Sequence, residues 1–148
     1  VDTIVGKGRK GAILTINDRA TGVLRMKKLQ GKGASELAEA CISALRPWKY
    51  NLMTITADNG KEFADHQTIA KGLNIDFYFA KPYHSWERGS NENLNGLIRQ
   101  YIPKKTDFST ITEEYVQFVE DQLNNRPRKR FNFETPNYML NQKVAFVT

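Results

Sequence analysis

The spacing of apolar positions changes along the chain, and each change marks an element. Through residue 29 the apolar residues come in short β-branched runs: Thr3-Ile4-Val5, Ala12-Ile13-Leu14-Thr15-Ile16, and Val23 to Leu29. A glycine-punctuated turn, Gly6 to Gly11, and the turn-rich stretch Asn17 to Gly22 separate them. Three strands are predicted, and links this short require antiparallel pairing, since a parallel crossover needs a dozen residues or more. From Ala34 the period becomes helical, with Leu37, Ala38, Cys41, Ile42 and Leu45 at three- and four-residue steps up to Pro47. The run Leu52 to Ala57 is almost continuously apolar and predicts a central strand buried on both faces. A helix over 61–71 closed by Gly72 and a fifth strand over 75–80 are expected next. After a polar loop, Lys81 to Gly89, the stripe Leu94, Leu97, Ile98 and Tyr101 predicts a helix from near Ser90 to Pro103. Thr110-x-x-Glu113 has the form of a capping box. It would open a last long helix to about Asn125, with Tyr115, Phe118, Val119 and Leu123 as its stripe. Three antiparallel strands, then helix, strand, helix, strand, describe an α/β fold on a mixed five-stranded sheet flanked by helices.

Composition narrows the class. With 148 residues, 40% of them hydrophobic and 26% charged, the chain fits one globular domain and excludes a disordered or collagen-like protein. No apolar run approaches the ~18 residues that cross a bilayer, and no signal peptide opens the chain. The expectation is a cytoplasmic protein without a membrane partner. The single cysteine, Cys41, makes no intrachain disulfide or cysteine-based zinc site, and its place on the helical stripe marks it as core. The first residue is Val1, not Met, so a segment of a longer protein is expected.

Charge adds a partner class. The net charge is +6, and the excess sits in residues 1–32, where eight cations, Lys7 and Lys10 among them, face two anions. Arg126-Pro127-Arg128-Lys129-Arg130 is a second cluster. Such clusters serve either as a solvated surface or as a footprint for a polyanion, with nucleic acid first.

Three carboxylates stand at telling places. Asp2 heads the first strand, Asp58 ends the fourth, and Glu92 lies in the first turn of the helix after the long loop. Arg99 shares the polar face of that helix with Glu92. Ligand sites in α/β sheets gather at the carboxyl ends of strands. Hard divalent cations take carboxylate oxygens, and a pair of them suits an in-line phosphoryl displacement. Each acid also has an ordinary reading: a solvated terminus for Asp2, a turn for Asp58-Asn59-Gly60, a helix-dipole partner for Glu92.

Three stretches carry a family likeness: Val1 to Gly8, Thr56-Ala57-Asp58-Asn59-Gly60-Lys61-Glu62-Phe63, and Lys81-Pro82-Tyr83-His84-Ser85-Trp86-Glu87-Arg88-Gly89-Ser90-Asn91-Glu92-Asn93. They resemble the DDE transposases, and more narrowly the bacterial insertion-sequence group called IS-thirty. That superfamily includes retroviral integrase cores and has a ribonuclease-H-like fold. The likeness runs from Val1 to about Leu140. It implies that the chain, 1–148, is one catalytic core, with a DNA-binding region N-terminal to it. It implies that Asp2, Asp58 and Glu92 hold two Mg²⁺ or Mn²⁺ ions and are the catalytic acids. Asn59 and Gly60 would shape the turn presenting Asp58, and Asn91 and Asn95 would orient groups beside Glu92. Arg99 sits where a basic residue two turns after the glutamate meets DNA, whereas the one-turn position is Gly96. Lys104 and Lys105, with Lys7, Lys10, Arg88 and Trp86, are further expected DNA contacts. Trp86 would either stack on a base or fill a packing gap. Glu62, four residues after Asp58, reads as a surface residue, and His84 and Glu87 as loop residues.

The implied activity is cleavage and joining of DNA strands in transposition, by a homodimer or higher assembly acting on transposon ends and a target. Two other readings use the same residues: a metal-dependent nuclease that only hydrolyses, and an inactive DNA-binding or assembly module.

Overall fold

The computed structural model describes residues 1–31, 33–81 and 89–147, and in these the side chains outside 49–50, 89–91 and 144–147. The elements are β1 (Asp2–Val5), β2 (Ala12–Asn17), β3 (Leu24–Leu29), α1 (Ala34–Leu45), β4 (Thr54–Ala57), α2 (His66–Leu73), β5 (Asp76–Phe79), α3 (Gly89–Tyr101), α4 (Glu113–Asn124) and α5 (Pro136–Val147). β1, β2 and β3 form an antiparallel ladder with β2 in the middle, in the register Asp2↔Thr15↔Met26. β4 and β5 pair in parallel, Thr54 opposite Asp76. The Val1 amine donates to the Thr56 carbonyl at 2.8 Å and joins the two ladders. The result is the expected mixed five-stranded sheet flanked by helices.

The strand buried on both faces is β2, not β4. Ala12, Leu14 and Ile16 point into a core with Leu37, Cys41 and Leu45 of α1 and Ile69 and Leu73 of α2. Ile13, on the other face, joins Ile4, Leu24, Met26, Leu94 and Ile98 of α3, and Val119 and Leu123 of α4. Ile13 and Leu14 are fully buried, each stabilising the fold by about 2 kcal/mol. In β4, by contrast, Ile55 and Ala57 are buried while Thr54 is exposed, and Met53 just before it is 86% exposed. The apolar run there reflects one covered face plus an uncovered methionine.

Helix ends also differ from the sequence reading. Residues 61–63 form a 3₁₀ turn and α2 begins at His66. Gly72 lies inside α2, and Asn74 ends it in the left-handed conformation (φ 53°). The α4 cap is Thr112, whose hydroxyl accepts from the Tyr115 amide, while Asp107 caps the preceding 3₁₀ turn. The buried face of α4 is Val116, Val119, Glu120, Leu123 and Asn124, and Phe118 is 47% exposed. Cys41 is fully buried, and burial pushes its thiol up to about 11, as suits a core residue.

The two polar residues on the buried face of α4 close the free edge of β3. Asn124 accepts from the Leu24 amide at 2.8 Å and donates to the Leu24 carbonyl at 2.9 Å, as a neighbouring strand would. Glu120 accepts from the Met26 amide at 2.8 Å and is braced by Gln117 at 2.7 Å. An edge strand is thereby paired by side chains. Asn124→Leu would strand a buried N–H and a buried C=O, at a cost of about 3 kcal/mol. The thermal midpoint should fall by about 10 °C in a circular-dichroism melt; a fall below about 2 °C would contradict this role.

Candidate active site

β1 carries Asp2 at its first position, and α3 runs alongside it in the same direction. Asp2 Oδ1 accepts from the Thr3 amide and Oδ2 from Asn95 Nδ2 of α3, both at 2.8 Å. One turn further along α3, Arg99 donates to the Val5 carbonyl at 3.2 Å and to the Ile102 carbonyl at 3.4 Å. Its half-buried guanidinium is thus tied to backbone, and burial lowers its pKa. This docking follows from the α3 sequence. Leu94 and Ile98 fill the core under β1 and β2, which turns the neighbouring Asn95 and Arg99 onto β1.

Asp58 directly follows β4 and is half-buried. It lies at the same end of the sheet as Asp2, because the 2.8 Å hydrogen bond from Val1 to the Thr56 carbonyl sets the start of β1 beside the end of β4. Gly60 has an ordinary extended backbone (φ −88°, ψ 154°), so turn shape does not demand glycine there. A Cβ at Gly60 would meet the flexible Glu62 carboxylate, its Oε1 2.7 Å away, and push it aside. Glu62 Oε1 in turn accepts from Thr3 Oγ1 at 3.2 Å. Glu62 is therefore a half-buried tie between the Asp58 turn and β1, and not the surface residue its sequence context suggests. Asn59 is exposed.

Glu92 is exposed in the first turn of α3, one turn before Asn95. Among the described residues no three His, Cys, Asp or Glu side chains come together as a metal-binding group. The donor chemistry at the sheet end nonetheless fits a hard cation, with two aspartates and the buried Asn95 Oδ1, which has no hydrogen-bond partner among the described residues. A third acid from α3 would have to turn inward to complete it. The loop residues His84, Trp86, Glu87 and Arg88, and the Asn91 side chain, lie outside the described residues. Lys7, Lys10, Lys104 and Lys105 are exposed. The second basic cluster is engaged with the protein itself: Arg126 donates to Gln100 Oε1, Arg128 to the Leu123 carbonyl and Arg130 to the Arg19 carbonyl.

The tie between Glu62 and Thr3 gives a direct expectation. Gly60→Ala displaces the flexible Glu62 carboxylate and opens the bond to Thr3, at a cost of about 1 kcal/mol. Glu62→Ala should cost a similar amount, and the double variant little more than either single change. Strictly additive losses in urea unfolding would contradict the coupling.

No protein-family model matches this chain. It is 60% identical over 144 residues to the transposase for insertion sequence element IS4351 of Bacteroides fragilis, covering 97% of this chain and 44% of that protein. It is 36% identical over 143 residues to the transposase InsI for insertion sequence element IS30A of Escherichia coli K12, covering 96% of this chain and 37% of that protein. The chain therefore spans less than half the length of these relatives. In fold it matches the catalytic core domain of BIV integrase with a TM-score of 0.72, over 99% of this chain and 97% of that one, at 16% identity. With relatives and fold in agreement, the chain is a DDE transposase/integrase-like core, close to IS30-type elements.

Proposed function

We propose that this core cleaves and joins DNA strands during transposition of an insertion sequence. The observation that supports the reading is the hydrogen bond from Val1 to Thr56, which brings the chain at Asp2 and at Asp58 to one end of the sheet, with the Glu92-bearing helix docked on Asp2 through Asn95. Asp2, Asp58 and Glu92 would hold two Mg²⁺ or Mn²⁺ ions, which when bound supply charge stabilisation for an in-line displacement at phosphorus. Asn95 fixes the carboxylate plane of Asp2. Glu62 holds the Asp58 turn against β1 through Thr3, so the two aspartates keep their spacing. α3 delivers Glu92 from the solvent side. Water is the first nucleophile: its oxygen bonds to the phosphorus at a transposon end, and the departing 3′ oxygen leaves as a hydroxyl. That hydroxyl then attacks a target phosphodiester, forming one P–O bond as another breaks. DNA ends and target are the partners, and a homodimer or higher assembly would hold two ends together.

The test needs no knowledge of the end sequence. A branched DNA with a free 3′-hydroxyl at its junction reports joining chemistry run in reverse, alongside hydrolysis. With Mn²⁺ the chain should resolve the branch. Asp58→Asn and Asp2→Asn should each lower the rate by more than about 100-fold with folding unchanged, and chelation should abolish it. Hydrolysis without strand exchange would replace this reading with the nuclease. DNA binding with no turnover would replace it with the assembly module.

A further inference from the structure

We propose that the β1–β2 turn and the α3–α4 connection form one preassembled grip for a DNA phosphate backbone, set apart from the acids. The inference rests on the strand-transfer reading for the identity of the polyanion. The turn carries Lys7, Arg9 and Lys10, and the connection carries Lys104 and Lys105, all exposed. The two segments are almost 100 residues apart in sequence and locked together in space. The Lys7 amide donates to the Thr106 carbonyl at 2.8 Å. Phe108, 2% exposed, is wedged beneath the turn. A Cβ on Gly6 would stand 2.8 Å from its Cγ, and one on Gly11 3.1 Å from its Cβ. The glycines let the turn close over the ring, and separating the segments would expose it.

Two of the cations sit on strained backbone. Arg9 (φ 60°) and Lys105 (φ 70°) are non-glycine residues in the left-handed region, each costing about 1 kcal/mol or more. Strain of this kind collects where the surroundings dictate a conformation for use. None of the five cations has a side-chain hydrogen bond or close ion pair among the described residues. One acid stands beside them. Asp107 accepts from the Ser109 amide at 2.9 Å and hydroxyl at 2.7 Å. Those bonds, with a smaller contribution from Lys7 and Lys10, hold its carboxyl below the usual range. Asp107 thus competes for the charge that a phosphate would meet.

Position sets the grip apart from the acids. It lies about five residues along the chain beyond Asp2, or roughly 15 Å of extended backbone. α3 follows β1 in the same direction, so the grip lies at the far end of β1 from Asp2.

Salt-dependent binding tests this. A fluorescein-labelled duplex of arbitrary sequence is titrated with the chain across a salt series, read by anisotropy. Lys10→Gln/Lys104→Gln, one cation from each segment, should reduce the slope of log affinity against log salt by about two. Asp107→Asn, which can still cap its turn, should tighten binding. Lys71→Gln/Lys143→Gln, exposed cations on α2 and α5, should leave the slope unchanged. Equal slope changes for both lysine pairs, or none for the first, would overturn the grip. If it fails while branch resolution still requires Asp58, the strand-transfer reading stands without it. If the slope changes as expected while resolution ignores Asp58→Asn, the grip stands and the catalytic reading falls.

Discussion

Burial of β2 on both faces is the constraint from which the rest of the site is hung. Its even positions pack under α1 and α2, and Ile13 packs under α3 and α4. A strand so covered cannot slip by one residue without moving a whole apolar set to the wrong face. β1 is registered on it, Asp2 opposite Thr15, and so Asp2 is fixed along the sheet. The same burial fixes α3, whose Leu94 and Ile98 fill the second face and present Asn95 to Asp2. On the first face, Ile55, Ala57 and Phe63 anchor β4 and the turn after it, which sets Asp58. Non-directional burial places the elements, and a few directional bonds then set the carboxylates.

Those bonds hold the two aspartate-bearing segments and leave Glu92 outside their frame. Asp2 already holds two N–H donors, and Glu62 and Thr3 couple the two aspartate-bearing segments. Among the described residues Glu92 has no such hydrogen bond, and it is exposed on the same helix. A cation would replace weak neutral donors at Asp2 with a full charge, a strong enough difference to recruit an acid one turn away. Assembly of the third ligand would then follow substrate and metal, with the frame already in place.

Much of this was legible in the sequence where period and turn chemistry agree. The ranges of α1 and of the first three strands follow from apolar spacing and short links, because local pattern and tertiary burial ask for the same thing. The failures come from tertiary context. An unbroken apolar run at 52–57 looks doubly buried, yet Met53 has nothing over it. The expected α4 stripe holds for Tyr115, Val119 and Leu123 but not for Phe118, because the buried face turns toward Glu120 and Asn124 to serve the β3 edge, a need invisible along α4 itself. Gly60 reads as a turn glycine, but its backbone is ordinary, and what a side chain there would disturb is the Glu62 carboxylate two residues on. Arg99 falls on the expected polar face, and only the fold shows that Val5 and Ile102 engage it. α5 escaped the sequence pattern because its own helical period is weak.

The central claim is that Asp2, Asp58 and Glu92 share divalent cations. Anomalous diffraction from Mn²⁺-soaked crystals of the chain bound to duplex DNA tests it most directly. The account predicts Mn²⁺ between Asp2 and Asp58, with Glu92 drawn in and the density lost in Asp58→Asn. Mn²⁺ bound elsewhere, or Asp2 still held by Asn95 with Glu92 in solvent and no metal beside them, would contradict it.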